Sequence, residues 1–582
     1  MPRLLSEVKG RFTIPSGIVA TTTDTIARLA EEIPEIGIQT TKSIGLQRRE
    51  GNKESILARF DGNGTFINAV GLANPGAEEF AKELKEIYPL PKNKFLLTSI
   101  FGSTAKEFQE VAKIVAPYSD GLELNCSCPH AEPGYGATIG SSPELTKKFT
   151  MAVKEVVDIP VFVKLTPNVE DIGIIARAAI EGGADGITAI NTVGPYESSI
   201  LSHGKGGISG FGVKEKGIQC IKRISEVIRE MNMKREIPII AMGGIRTAQD
   251  VLDYCNAGAK FFGVGSALAG MDTESIKKYF YNLEREFCLL KKGHKIRERK
   301  VDLTVMELMK YRYYMITKIK QVSDDLNIFY FNKGIKANPG QFVFVKLPAH
   351  NAHEKPFSIA DDDPLTIAVR RIGDFTSKLF ELKKKDVVCI RGPYGKGFDI
   401  AEETESMFLV GGGTGLAPLH FLAKTARKKH PLTICMGAKT KDQLLFLKEF
   451  KKYGEAMVAT EDGSEGKQGL VTANLKEHLE NEKRFFTNSK ISFYNCGPEL
   501  MIKEVMRIEK KSGYAKQIQA LIERYMKCGI GICGSSAMDG KRVCVDGPVF
   551  TGKDLLSSKH FGKLRRDASG TLINFKLKKE IR

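Results

Sequence analysis

The chain has 582 residues, too many for a single hydrophobic core, and this length predicts three or four domains of about 150 residues each. A composition of 42% hydrophobic and 27% charged residues is that of folded proteins and excludes a largely disordered chain. The net charge of +18 comes from lysines and arginines interspersed with acids, which indicates a solvated basic surface and no nucleic-acid partner.

The chain contains no run of about 18 uncharged apolar residues, so we expect no membrane partner and a cytoplasmic location. Its 11 cysteines are too sparse for a disulfide scaffold, which makes clustered cysteines candidates for catalysis or metal binding. Two clusters occur: Cys126 with Cys128, and Cys528 with Cys533 and Cys544.

In the first half, short β-rich runs recur from residue 37 onward with helical segments between them. This alternation predicts an α/β fold that begins with a (β/α)8 TIM barrel over residues 1–290. The eight predicted strands lie within residues 37–43, 65–72, 95–102, 121–128, 159–165, 183–191, 237–244 and 259–267.

Polar residues occur at the carboxyl ends of these strands, the rim where such barrels hold their active sites. They are Lys42, Asn68, Asn125, Lys164 and Asn191. Together they suit a small planar molecule rich in carbonyl and N–H groups, with lysines available for a carboxylate or an anionic flavin. The last two strands end in Gly243-Gly244 and Gly265-Ser266, a pair of turns typical of a phosphate site, and hence of a cofactor such as FMN.

The fourth predicted strand runs into the sequence LNCSCPH, which contains the first cysteine cluster. Alternation along the strand places Cys126 opposite Asn125, as a packed residue. Cys128 lies past the strand end in a loop, where its thiol could act as a general base.

The motifs TTKS, LNCSCP, VKLTPNV, GGISG and MGGI, in this order, resemble the catalytic chain of class 1B dihydroorotate dehydrogenases. The resemblance implies that Cys128 removes the C5 proton of dihydroorotate while the C6 hydride passes to FMN. It implies that Lys42, Asn68, Asn125, Asn191 and Thr192 hold the substrate and that Lys42 and Lys164 contact the flavin. His130 stands where the family usually has Asn and matches dihydropyrimidine dehydrogenases, which leaves uracil or thymine reduction open as an alternative.

A charged segment at 291–310 is the predicted linker, and the β-rich runs after it predict an antiparallel β-barrel over 311–400. The sequences KPFSIA and GDFT resemble the FAD-binding motifs of the ferredoxin-reductase superfamily. The resemblance implies that FAD contacts Lys355, Pro356, Phe357, Ser358, Gly373 and Thr376.

A buried strand, a glycine-rich turn and a helix at 407–426 predict a Rossmann-like NAD-binding domain over 401–512. The cofactor-binding turn comprises Gly411, Gly412, Gly413, Thr414 and Gly415. Glu461 and Asp462 would favour a ribose hydroxyl of NAD, whereas Lys439 and Lys441 could pair with the 2′-phosphate of NADP. The family resemblance favours NAD.

The C-terminal segment, predicted as 513–582, resembles the iron–sulfur part of the electron-transfer subunit that partners these dehydrogenases. The resemblance implies a [2Fe–2S] cluster on Cys528, Cys533, Ser536 and Cys544, with Ser536 in place of the usual fourth cysteine. Either the cluster is intact, with Ser536 as a weaker ligand or with another ligand in its place, or it is degraded or absent.

The whole chain is thus interpreted as a fused, NAD-dependent dihydroorotate dehydrogenase, an enzyme of pyrimidine biosynthesis. Its electrons are expected to pass from FMN through iron–sulfur and FAD to NAD, and the barrel is expected to form a homodimer. A non-enzymatic flavin redox sensor stays open as a further alternative.

Overall fold

The structure is a computed structural model that describes residues 5–126, 137–297, 300–348, 353–481 and 490–575. It divides into two compact units. The first comprises the chain up to Met309 together with Ile530–Arg542 and Arg566–Leu572. The second comprises Lys310–Gly529, Val543–Arg565 and the residues from Ile573 on. Both units therefore draw on the C-terminal segment.

The first 309 residues contain twelve described strands and ten described α-helices. The strands are β1 (Phe12–Ile14), β2 (Ile36–Thr40), β3 (Leu57–Arg59), β4 (Thr65–Asn68), β5 (Phe95–Ile100), β6 (Gly121–Asn125), β7 (Val161–Leu165), β8 (Gly186–Ala189), β9 (Val193–Glu197), β10 (Lys205–Gly210), β11 (Ile239–Met242) and β12 (Phe261–Gly263). The helices are α1 (Thr23–Glu32), α2 (Ala77–Ile87), α3 (Ala105–Val115), α4 (Ala137–Gly140), α5 (Pro143–Lys154), α6 (Ile172–Glu181), α7 (Lys214–Glu230), α8 (Ala248–Asn256), α9 (Thr273–Lys291) and α10 (Thr304–Leu308).

Eight parallel strands close the predicted TIM barrel in the order β1-β12-β11-β8-β7-β6-β5-β2. One predicted barrel strand was wrong: β4, within 65–72, belongs to an antiparallel sheet of order β3-β4-β10-β9. The eighth strand of the barrel is β1 instead. It has only three residues, too few to show the two-residue periodicity of a strand in the sequence. Alternation in the β4 region is equally typical of an antiparallel strand with one covered face.

Aromatic rings fill the barrel interior, and glycines make room for them. Phe95 and Phe162 pack with Ile38 and Ile240 in one buried cluster. A Cβ on Gly121 would lie 2.8 Å from the Phe95 ring, and one on Gly186 would overlap the Phe162 ring. The barrel is a packed core whose free volume is restricted to its rim.

Several helices around the barrel begin at side-chain caps, among them α3, α5, α6, α8 and α9. Ser142 Oγ accepts the amide of Leu145 at the start of α5, with Pro143 in the first turn. Thr247 and Asp250 form a reciprocal capping box at the start of α8.

The remaining chain contributes seventeen described strands and seven described helices. The strands are β13 (Arg312–Ser323), β14 (Leu326–Phe331), β15 (Phe342–Lys346), β16 (Glu354–Asp362), β17 (Leu365–Arg370), β18 (Val387–Tyr394), β19 (Ser406–Gly412), β20 (Leu432–Ala438), β21 (Glu455–Thr460), β22 (Lys467–Gln468), β23 (Ile491–Cys496), β24 (Ile518–Leu521), β25 (Ala537–Met538), β26 (Lys541–Arg542), β27 (Val549–Thr551), β28 (Leu564–Arg566) and β29 (Leu572–Asn574). The helices are α11 (Asp374–Phe380), α12 (Leu416–Ala426), α13 (Leu447–Tyr453), α14 (Val471–Asn481), α15 (Glu499–Lys511), α16 (Val543–Asp546) and α17 (Gly552–Leu556).

The second unit holds the predicted antiparallel barrel, closed in the order β13-β14-β17-β16-β15-β18. It also holds a seven-stranded sheet of order β22-β21-β20-β19-β23-β24-β27, in which only β27 runs antiparallel to its neighbour. Two of these seven strands, β24 and β27, come from the chain beyond residue 512. Within the described residues, no helix is long and apolar enough to cross a membrane.

Candidate active site

A directional chain of hydrogen bonds lies at the rim of the TIM barrel. Ser99 donates its hydroxyl proton to Glu123 Oε1 at 2.9 Å, so it accepts from Ser43 Oγ, 2.9 Å away. Ser43 in turn accepts from Asn125 Nδ2 at 2.8 Å. Because each hydroxyl has one proton, the Glu123 carboxylate fixes which way the Asn125 amide points.

The same carboxylate faces one of the predicted flavin contacts. Lys164 Nζ lies 3.5 Å from Glu123 Oε1, and the two side chains are 5% and 1% exposed. Glu123 Oε2 is buried without a hydrogen-bond partner among the described residues. A buried ion pair at the rim therefore connects Lys164 to the series of hydrogen bonds that orients Asn125.

The series of hydrogen bonds continues from Asn125 to the other predicted substrate residues. Asn191 Nδ2 donates to Asn125 Oδ1 at 3.4 Å, and Asn191 Oδ1 accepts the Thr192 amide at 2.8 Å. The Thr192 carbonyl accepts from Asn168 Nδ2 at 3.0 Å. Asn125, Asn191, Thr192 and Lys164 are thus brought together as predicted, by β6, β7 and the segment after β8.

Asn68 ends β4, which belongs to the antiparallel sheet and not, as predicted, to the barrel. Its amide donates to the Gly207 carbonyl at 3.3 Å across the antiparallel sheet. Lys42 follows β2 at the rim, and its Nζ donates to the Ser569 carbonyl at 3.3 Å.

The two predicted phosphate turns follow neighbouring strands at one edge of the barrel. Met242 pairs with Gly263 across β11 and β12, so Gly243-Gly244 and Gly265-Ser266 leave the same edge. Gly243 and Gly244 adopt φ values of +127° and +75°, which side chains disfavour. Tyr254 fixes the first turn by donating its hydroxyl to the Gly243 carbonyl at 2.6 Å.

Cys128, the predicted general base, and His130 lie outside the described residues. Cys126, the last described residue before them, is fully buried in the main core. Burial raises the pKa of its thiol to about 12, in agreement with its predicted role as a packed residue.

In the second unit, β16 carries the predicted FAD motif of Lys355, Pro356, Phe357 and Ser358. Phe357 packs on Phe375 of α11, with ring centroids 6.2 Å apart.

The Gly373 to Thr376 turn leads into α11. Thr376 Oγ1 accepts the amides of Ile372 and Gly373 and donates to the Gly373 carbonyl. Its hydroxyl thereby sets the backbone of the turn.

Sequence reasoning missed a buried ion pair beside the FAD motif. Arg391 donates two hydrogen bonds to Glu354, at 2.8 and 2.7 Å, and both residues are almost fully buried. The same guanidinium donates to Tyr394 and to the Cys528 carbonyl at 2.8 and 3.0 Å. Through these four acceptors the planar guanidinium holds the start of β16 and the backbone of Cys528 in a fixed relation.

The glycine-rich turn after β19 is shaped by its neighbours. A Cβ on Gly415 would overlap the Cys496 carbonyl, and one on Gly412 would overlap the Met501 sulfur. Gly413 adopts φ +54°, and α12 begins at Leu416 directly after the turn, which also includes Gly411 and Thr414. The turn thus lies against the Cys-Gly-Pro segment at 496–498, and the start of α12 can receive a pyrophosphate.

The residues predicted to choose between NAD and NADP follow β20 and β21. Asp462 accepts the Ser464 hydroxyl at 2.6 Å, which lowers the pKa of Asp462, and Ser464 Oγ accepts the Lys441 amide at 2.8 Å. Glu461 is exposed beside them.

Two cysteines of the predicted cluster segment, Cys528 and Cys533, lie in a loop with left-handed glycines at Gly529, Gly531 and Gly534, and Cys544 lies in α16. Cys528, Cys544 and Ser536 are buried, and the half-buried Cys533 has its Sγ 3.4 Å from Ser535 Oγ. Thiols beside a glycine-rich loop suit an iron–sulfur cluster. Among the described residues, no three His, Cys, Asp or Glu side chains are gathered as metal ligands, so the ligand set stays a proposal.

Comparison with protein families identifies three regions of the chain. Residues 5–287 match "Dihydroorotate dehydrogenase", residues 409–507 match "Oxidoreductase NAD-binding domain", and residues 523–556 match "Iron-sulfur cluster binding domain of dihydroorotate dehydrogenase B".

Curated relatives fall into two kinds. The chain is 42% identical over 247 residues to a probable dihydroorotate dehydrogenase B (NAD(+)) electron transfer subunit of Thermococcus kodakarensis, covering 42% of this chain and 98% of that protein. It is 39% identical over 281 residues to a dihydroorotate dehydrogenase B (NAD(+)) catalytic subunit of Methanocaldococcus jannaschii, covering 47% of this chain and 88% of that protein. The chain therefore belongs to the dihydroorotate dehydrogenase B family, with the catalytic and electron-transfer parts joined in one polypeptide.

Proposed function

We propose that this protein oxidises dihydroorotate to orotate in pyrimidine (UMP) biosynthesis and passes the two electrons from FMN through [2Fe–2S] and FAD to NAD. The observation that carries the proposal is the occurrence of both relatives in one chain, each covered over at least 88% of its length. A single polypeptide thus contains the parts that oxidise the substrate and the parts that deliver its electrons.

The polar chain at the barrel rim supports specific roles for its residues. Asn125, Asn191 and Thr192 offer amide and hydroxyl groups to the carbonyl and N–H edges of the dihydropyrimidine ring, and Lys42 offers a cation to its carboxylate. Asn68 is proposed to contact the substrate from the adjoining sheet. Cys128 is proposed to accept the C5 proton while C6 gives up a hydride. The ring thus loses two protons and two electrons in all, one proton to Cys128 and the rest as the hydride.

Each cofactor has a set of residues proposed to hold it. FMN, which when bound supplies the hydride acceptor, would lie between Lys42, Lys164 and the turns at Gly243-Gly244 and Gly265-Ser266. FAD would contact Lys355 to Ser358 with Gly373 and Thr376, and NAD would contact the turn from Gly411 to Gly415. The cluster ligands are proposed to be Cys528, Cys533, Ser536 and Cys544.

The alternatives are not favoured. The two kinds of relatives bear the name dihydroorotate dehydrogenase B, which argues against uracil or thymine reduction despite His130. The intact chain of polar groups at the rim argues against a sensor that has lost its chemistry.

The test is anaerobic oxidation of dihydroorotate by the purified protein, with NAD as sole acceptor and a dye acceptor in parallel. Reduction of both is the expected result. Reduction of the dye alone would indicate an active barrel with an interrupted relay, and reduction of neither would contradict the proposal. Dihydrouracil serves as the comparison substrate, and Cys128→Ala, expected to abolish turnover, as the inactive control.

We further propose a homodimer formed through the TIM barrel, in the cytoplasm, since barrels of this kind commonly pair. Light scattering of the purified protein should give twice the mass of one chain. A mass equal to one chain across the accessible concentration range would contradict it.

A further inference from the structure

A short C-terminal segment, Arg566–Leu572, belongs to the first unit, and we call it the strap. Its anchor is Arg566, whose side chain is 4% exposed. The guanidinium donates to both carboxylate oxygens of Glu83 at 3.0 and 2.9 Å and to Asp24 at 3.1 Å. Glu83 also accepts the Thr23 hydroxyl at 2.9 Å. A buried charge with two acids around it holds the strap to the start of α1, through Asp24, and to the second half of α2, through Glu83.

The strap is also rigid within itself. Arg566 donates to the Gly570 carbonyl at 2.8 Å, and Asp567 Oδ1 accepts the amides of Ser569 and Thr571 at 2.9 and 3.1 Å. Its backbone therefore keeps one shape as it passes the barrel rim.

That shape places the strap against a predicted substrate and flavin residue. The Ser569 carbonyl accepts from Lys42 Nζ at 3.3 Å. Six residues after Lys42, Arg48 donates to Ser569 Oγ at 3.2 Å and to Asp567 Oδ2 at 2.9 Å. The strap thus binds the loop after β2 at two points, and one of them is the ammonium group of Lys42.

Glycine leaves room for Lys42 where the strap passes it. Gly570 adopts φ +95°, which favours glycine, and a Cβ there would lie 3.2 Å from Lys42 Nζ. A methyl group at this position would displace the ammonium group by a few tenths of an ångström.

We propose that the strap is a positioning element of the barrel's active site: the Ser569 carbonyl and the free space at Gly570 fix Lys42 Nζ where it meets FMN and the substrate. This inference rests on the proposed function, since it assigns to C-terminal residues a role in the site of the N-terminal part. The ligands of the site are those of the proposed function: a phosphorylated flavin and a substrate ring that bears a carboxylate.

The test uses the full-length protein with Gly570→Ala. The matched control is Gly513→Ala, which adds the same methyl group at a similar φ of +98° with nothing within 4 Å. The strain on the backbone is therefore comparable, and only Gly570→Ala disturbs Lys42. A second variant, Asp567→Ala, removes the contact to Arg48 without adding bulk.

Two readouts are measured. In the first, apoprotein freed of flavin is titrated with FMN, and we expect Gly570→Ala to raise the Kd about three- to tenfold, the size of one hydrogen bond of ordinary strength, with Gly513→Ala unchanged. In the second, anaerobic bleaching of the flavin by dihydroorotate should be slower, with a raised KM, in both strap variants. Reduction of a dye by NADH, which does not involve the barrel, should be the same in all proteins.

Equal FMN affinity and equal bleaching in Gly570→Ala and Gly513→Ala would overturn the role of the strap. If the wild-type protein binds FMN but dihydroorotate does not bleach it, the proposed function fails, while the FMN titration still decides the inference.

Discussion

Lys164 and Glu123 form a buried ion pair in the TIM barrel, with 3.5 Å between Lys164 Nζ and Glu123 Oε1. One partner is a predicted flavin contact, and the other sets the direction of the hydrogen bonds that reach Asn125 through Ser99 and Ser43. The pair therefore couples the flavin side of the site to its substrate side.

We expect Glu123→Gln to lower the stability of the barrel by about 3 kcal/mol, because it leaves the buried Lys164 without its counter-charge. It should also slow flavin bleaching by dihydroorotate, since a Gln amide can donate to Ser99 and reverse the chain. The double variant Glu123→Gln with Lys164→Met should regain part of the stability and none of the activity. Thermal unfolding and stopped-flow bleaching measure the two effects, and additive losses of stability in the double variant would contradict the coupling.

Ser536→Cys should strengthen the iron–sulfur cluster. Serine loses its proton far less readily than cysteine, so thiolate ligation at this position should retain more iron through dialysis and raise the cluster's potential. Iron content and redox titration give the result, with Ser535→Cys as the control one residue away. Equal iron retention in wild type and Ser536→Cys would exclude residue 536 from the ligand set.

Arg391→Lys should loosen the cluster loop while leaving most FAD bound. A lysine ammonium cannot serve both Glu354 oxygens, the Tyr394 hydroxyl and the Cys528 carbonyl in one plane, so we expect less iron per chain with the flavin content little changed. Arg370→Lys is the control, because Arg370 pairs with Asp325 at the surface of the same antiparallel barrel. Wild-type iron content in Arg391→Lys would contradict this prediction.

The stability of the second unit should fall as pH rises from about 4.5 to 8. Burial raises the pKa of Glu509 from 4.5 to about 8, opposed by a hydrogen bond from Asn495. Between these values the unfolded chain has lost the proton while the folded chain keeps it, so Glu509 contributes stability below 4.5 that is lost by pH 8. The change amounts to roughly 5 kcal/mol.

Glu509→Gln should remove this slope. The control is Glu504→Gln on the same helix. Arg507 lowers the pKa of the Glu504 carboxyl, so this variant should leave the slope of stability against pH between 4.5 and 8 unchanged. Denaturant unfolding followed at several pH values measures it. A slope that persists in Glu509→Gln would assign the titration to another group.

The barrel architecture could be predicted because strand and helix periods alternate strongly, and most rim residues followed from it. What failed was local: β1 has only three residues, and β4 has the alternation of any half-covered strand. Asn68 was assigned to a barrel strand for that reason, and its contact with the substrate, like the domain boundaries, remains a prediction.

Other features left too weak a signal. Glu123 lies within the apolar run GLELN, where a charged residue inside a buried strand was the one available sign of a rim function. Two buried ion pairs join residues far apart in the sequence: Glu354 with Arg391, 37 positions apart, and Glu83 with Arg566, 483 positions apart. Sequence periodicity cannot predict contacts over such separations.

The first unit is not a continuous stretch of chain, since Arg566 completes a cluster begun by Asp24 and Glu83. At about 5–20 residues per second, translation takes roughly 10 to 50 s to proceed from the last helix of the barrel to the strap. The strap can pack on the barrel only after that interval. A gene cut after codon 309 would therefore not encode a complete first unit, and the two products would have to meet again for Arg566 to reach its acids.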